Sequence, residues 1–165
     1  QEAEVKWKAE LSQNKNIKLH MLGHLQTNKA KNAVELFHYI HSLDSQKLAD
    51  ALSKHEVKLN KKLNYFIQVN IGNESQKYGV LPSELDSFYN YCKQDLRLNV
   101  LGLMAIPPND GNEEKYFKYL LENNLTLGLS ELSMGMSSDY LISLKYQSTY
   151  LRLGTAIFGT RTKKL

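Results

Sequence analysis

A single cysteine, Cys92, stands in 165 residues. No disulfide can close within the chain, and a reducing compartment, the cytoplasm, is the expected location. No apolar run approaches the ~18–20 residues of a membrane span, and the charged amphipathic opening QEAEVKWKAEL has no signal-peptide core, so no membrane partner is expected. Arginine is scarce. Of 21 basic residues three are Arg (Arg97, Arg152 and Arg161), and the lysines lie scattered among carboxylates rather than gathered in a stripe. The net charge of +4 and pI near 9.0 therefore describe solvated helix faces and not a nucleic-acid surface. Tandem repeats are absent too. At 18.9 kDa and 42% hydrophobic residues the chain suits one sizeable core, so residues 1–165 are expected to form a single domain.

What is present is a regular alternation of strand and helix patterns. Ala3, Val5, Trp7 and Leu11 suit a first helix. Strands are expected over residues 17–23, 39–43, 64–71, 98–106, 129–136 and 150–154. Helices are expected from the GHLQTNK turn, residues 23–29, through about Glu35, from the Asp44 or Ser45 cap to about 56, from Pro82 onward, over 113–121 and over 139–146. Such alternation means a parallel sheet, either open or closed into a barrel. The strands decide between the two, because each well-defined one has an aliphatic face and a face with glycine or polar residues toward its carboxyl end. Those are His20, Gln68 with Asn70, Gly102 with Met104, Ser133 with Gly135, and Arg152 with Gly154. This suits a (β/α)8 barrel whose mouth is a binding site, with the six visible strands counted back from the end as the third to the eighth.

The last two strands carry the chemistry. Each stops in small residues, Ser137–Ser138 after one and Gly154–Thr155 after the other, and a right-handed crossover between them opens both turns on the same side. Two adjacent turns rich in free N–H groups form an anion site, read here as a phosphate cup. Arg152 shares its strand face with Gly154 and so faces the anion. An arginine in an apolar strand needs a reason. It is either a ligand contact or a buried structural charge paired with a carboxylate such as Glu131.

Together IKLHMLGHLQTNK, IHSLDSQKLA, FIQVNIGNESQKYG, LGLMAIPP, LSMGMSSDY and STYLRLGTAIFGTR resemble the pyridoxal-phosphate homeostasis proteins, in that family's order over nearly the whole chain. The resemblance implies a barrel similar to the N-terminal domain of alanine racemase. It implies bound pyridoxal 5′-phosphate (PLP) and a non-enzymatic role as cofactor carrier or buffer. Carried over, it makes Ser137 and the amides of Gly154 and Thr155 the phosphate holders, and Arg152 the partner of the pyridine nitrogen. An arginine stays a donor, so the ring nitrogen must accept and remains unprotonated, which disfavours transaminase-like use of the ring as an electron sink. The family's first strand, with the lysine that forms the Schiff base, and its second strand, ending in Gly-Glu-Asn, have no counterpart here. The chain is therefore expected to be a member lacking two strand–helix units, roughly 60 residues, with edges open to self-association. Gln147 stands where the family usually has glycine, and Ser138, Asp139 and Tyr140 vary its Ser-Asp-Asp pattern.

Three other readings stand beside this one. A phosphate-sugar isomerase, aldolase or racemase-like enzyme on the same barrel would share the cup but needs an acid–base pair at the strand ends. A metal site from His20, His24, His38 and His41 would lack the cysteine or carboxylate cluster that ligand spacing calls for. A noncatalytic module or nonfunctional fragment is supported by the absent nucleophile. Lys29 and Lys77 lie in loops after strands and are the visible amines nearest a barrel mouth.

Overall fold

The computed structural model describes Trp7, Asn14 and residues 16–160. Apart from Trp7, the expected first helix lies outside the described residues, as does Arg161. Among these residues six strands alternate with helices: β1 His20–Met21, α1 Ala30–Leu36, β2 Tyr39–Leu43, α2 Gln46–Leu59, β3 Asn64–Gln68, α3 Leu85–Asn90, β4 Asn99–Met104, α4 Glu113–Thr126, β5 Glu131–Met136, α5 Tyr140–Lys145, β6 Tyr150–Arg152 and the single turn α6 Thr155–Phe158. Each strand pairs in parallel with the next, in the order β1-β2-β3-β4-β5-β6.

Local chemistry sets these elements. The Ser45 hydroxyl accepts the Leu48 N–H and starts α2, whose inward residues Leu48, Ala49 and Leu52 recur at helical spacing and are buried. Pro82 opens the 3-10 turn that leads into α3, where its missing N–H is no loss. Along β3 the side chains alternate: Tyr65 and Ile67 enter the core, which also takes in Leu52 from α2 and Leu85 and Phe88 from the α3 unit. Burial of each such side chain stabilises the fold by about 1.5–3 kcal/mol.

Phe66, on the other face of β3, meets one ring from the adjacent β2 and one from β6, which is not its neighbour. Its centroid is 4.4 Å from that of His41 and 5.0 Å from that of Tyr150. His20 on β1 and Tyr150 on β6, at opposite ends of the strand order, bring their rings to 5.8 Å. A flat sheet would hold these edges five strand spacings apart, about 24 Å. The sheet is therefore rolled, with helices outside and ring-bearing side chains inside. This is six strands of the (β/α)8 architecture.

Three details differ from the sequence pattern. The edge strands β1 and β6 are shorter than expected, and among the described residues each has a ladder on one side only. Helix α4 runs to Thr126, past its expected end at Leu121. The Asn124 side chain accepts the Leu103 N–H and donates to the Leu129 carbonyl, so it is a buried bridge inside the helix. Gly135 does not share the inward face of Ser133. The register of β5 against β6 shifts between Ser133 and Met136, Gly135 has φ +92°, and a Cβ there would lie 2.1 Å from Ser143 Oγ on the side covered by α5.

Candidate functional site

The carboxyl ends of β5 and β6 lie side by side. After β5, the Asp139 carboxylate accepts the Met136 N–H at 2.6 Å and closes the turn that presents Ser137. The Ser137 hydroxyl oxygen accepts the N–H groups of Gly154 and Ala156, each at 3.2 Å. The two small-residue turns thus open toward one another, with a hydroxyl and two amides converging. The amides that meet at Ser137 are those of Gly154 and Ala156, while Thr155 begins the one-turn helix α6.

Arg152 projects into the rolled interior. Its Nη1 donates to the Ser133 carbonyl at 2.7 Å and to Ser133 Oγ at 2.9 Å, and its Nη2 donates to the Ala105 carbonyl at 2.8 Å. Glu131 is not its partner. Burial lowers its pKa to about 10, partly offset by the Asp139 carboxylate. At neutral pH it remains cationic. The third donor position, Nε, is buried and has no hydrogen-bond partner.

Behind Arg152 lies a polar chain that links four strands. Ser133 Oγ is 2.8 Å from His41 Nδ1, and His41 Nε2 is 2.8 Å from His20 Nδ1. His41 is 1% exposed, and burial, helped by His20 and Arg152, drives its pKa down to about 3. Burial also lowers the pKa of His20, whose ring stacks on Tyr39 at 4.1 Å. Tyr150 closes this layer, with its hydroxyl pushed up to about 12 by burial and by its bond to Tyr39. The other two histidines weighed as metal ligands are partnered elsewhere: His38 Nδ1 accepts the Leu19 N–H, and His24 meets Asp44 at 3.0 Å while stacking on Tyr78. Among the described residues no three metal-binding side chains cluster.

A cavity of about 220 Å³ opens beside the carboxyl end of β3, lined by Gln68, Asn70, Lys77, Tyr78 and Ile106 among others. Lys77 is held there by Glu74, 2.6 Å from its Nζ, and by the Pro107 carbonyl at 3.5 Å. Lys29 is exposed at the end of the 3-10 turn before α1.

Sequence reasoning brought Ser137, Gly154 and Arg152 to one place but did not join His41 to Ser133. A signal was available, since His41 interrupts an apolar strand as Arg152 does. Nothing local pointed to Ser133, 92 residues away.

The family described as alanine racemase, N-terminal domain, matches residues 1–162. A pyridoxal phosphate homeostasis protein of Aquifex aeolicus is 37% identical over 163 residues, which cover 93% of this chain and 72% of that protein. One from Haemophilus influenzae is 37% identical over 160 residues, covering 91% and 68%. Among solved structures, PipY of Synechococcus elongatus PCC7942 with PLP bound superposes with a TM-score of 0.85 at 32% identity, covering 96% of this chain and 77% of that one. Alanine racemase of Corynebacterium glutamicum shares the fold, with a TM-score of 0.69 at 15% identity over 95% of this chain and 46% of that one. No described helix is long and apolar enough to cross a membrane.

Proposed function

Because this chain belongs to the alanine racemase N-terminal domain family, and within it to the pyridoxal phosphate homeostasis proteins, we propose that it binds PLP and serves cellular PLP homeostasis as a carrier or buffer. The observation that carries this reading is the buried, unpartnered Nε of Arg152, two residues before the Gly154 amide that meets Ser137. A buried donor without a partner costs about 1–3 kcal/mol, and a pyridine nitrogen is an acceptor of the kind it lacks. The residues present therefore fit the cofactor. In this reading the Ser137 hydroxyl and the amides of Gly154 and Thr155, with the neighbouring Ala156 amide, hold the phosphate.

Bound PLP supplies an aldehyde and a ring that accepts electrons best when its nitrogen is protonated. Arg152, cationic up to a pKa of about 10, gives a hydrogen bond to that nitrogen and no proton. The side chain thus holds the ring in its weaker electron-accepting form, which suits carriage over catalysis. An isomerase or racemase-like activity would need an acid and a base at the strand ends. The buried interior instead offers His41, neutral down to about pH 3, and Tyr150, neutral up to about pH 12. The buried free thiol of Cys92 accords with work in the cytoplasm.

The test is calorimetric titration of the chain with PLP, alone and with inorganic phosphate as competitor. One saturable site displaced by phosphate is expected, weakened about tenfold to a hundredfold in Arg152→Gln, the loss of one charge-assisted hydrogen bond. Equal binding by wild type and Arg152→Gln would make Arg152 a structural residue alone and refute this assignment.

A further inference from the structure

Two of the three acceptors on the Arg152 guanidinium are backbone carbonyls, those of Ser133 and Ala105, and the third, the Ser133 hydroxyl, is the one whose direction other side chains set. We infer that Ser133 and His41, with His20 behind them, are positioning residues that lock the Arg152 guanidinium in the plane that leaves Nε free for the ring nitrogen of PLP. The inference rests on the functional reading above and adds the side chains that make it selective.

The direction of each hydrogen bond follows from donor counts. A guanidinium has donors only, so Ser133 Oγ accepts from Arg152 Nη1. The serine proton is then given to His41 Nδ1, its other partner. His41, an acceptor at Nδ1, carries its proton on Nε2 and donates it to His20 Nδ1. Each hydrogen bond in this run has one direction, and every bond is between 2.8 and 2.9 Å. His41 cannot swing aside, because its ring is stacked on Phe66 at 4.4 Å and Tyr150 stands edge-on at 5.7 Å. The serine hydroxyl is therefore aimed by a fixed ring, and the guanidinium by a fixed hydroxyl. Ala105 O, at 2.8 Å from Nη2, fixes the second point of the plane. Two points on one edge leave the Nε edge no freedom to turn. Ser133 and His41 touch the arginine side of this arrangement, so they act through Arg152.

The experiment compares PLP with its analogue carrying CH in place of the ring nitrogen, titrated into wild type, Ser133→Ala, His41→Phe and His41→Asn. Thermal melts confirm that each variant is folded. Wild type is expected to prefer PLP over the analogue by about tenfold or more, one charge-assisted hydrogen bond. Ser133→Ala and His41→Phe should reduce that preference at least severalfold while leaving analogue affinity and phosphate competition unchanged. A general packing defect would weaken both ligands alike. His41→Asn keeps an acceptor for the serine proton and should restore part of the preference. Independently of any ligand, the Arg152 Nε–H resonance should shift and exchange faster with solvent in Ser133→Ala and His41→Phe. An unchanged preference in both variants, or an unchanged Nε–H resonance in both, overturns the inference. Failure of wild type to bind PLP would refute the functional reading, and the resonance alone would then decide whether these residues position Arg152.

Discussion

Acidification is expected to destabilise this protein through His41 well before the carboxylates titrate. In the fold the imidazole is buried and holds its pKa at about 3, against an ordinary value of 6.5. A base whose folded pKa is depressed binds its proton more readily in the unfolded chain. Its contribution is complete above pH 6.5 and is lost as pH falls from 6.5 toward 3. Linkage across this interval gives a loss of about 0.8 kcal/mol at pH 6 and about 2 kcal/mol at pH 5, rising by about 1.4 kcal/mol for each further unit. His20 and His38 are depressed as well and act in the same sense, so wild type alone overstates the effect of His41. The comparison that isolates it is His41→Asn, in which the site does not titrate. Urea unfolding of both proteins at pH 7, 6 and 5 should show the wild type losing about 2 kcal/mol more than the variant between pH 7 and 5. Parallel pH dependences would refute the reasoning, since they would mean that His41 takes up its proton in the fold as easily as outside it.

Gln147 adopts a left-handed backbone, φ 61°, so Gln147→Gly should raise stability by about 1 kcal/mol in urea unfolding, and an unchanged or lower midpoint would contradict this. Treatment with PLP and then borohydride should leave no single stoichiometrically modified lysine in the 165-residue chain, because Lys77 is engaged by Glu74 and Pro107 while Lys29 stands exposed; one fully labelled position in peptide mapping would assign a carrier lysine. The rows of N–H and C=O groups on the outer edges of β1 and β6 should make this chain self-associate, seen as a concentration-dependent sedimentation coefficient, whereas a monodisperse monomer would show that those edges are covered.

Strand and helix order was legible in the sequence because side-chain period is a local property: Asn64–Gln68 alternates, and Ser45 and Pro82 mark helix starts by chemistry that extends only a few residues. The meeting of the two small-residue turns was legible for the same reason, as small residues at two neighbouring strand ends joined by a crossover of fixed hand. Arg152 drew attention as a cation in an apolar strand, but its partners were not readable, and the carboxylate of Glu131 gave way to the carbonyls of Ser133 and Ala105. Asn124, Gly135 and the run from His20 to Arg152 escaped because each depends on what lies across a helix–sheet or strand–strand gap. Alternation states which face a residue takes. How tightly the sheet rolls decides which inward side chains come within 3 Å of one another, and that curvature is set by the twist and packing of all the strands together.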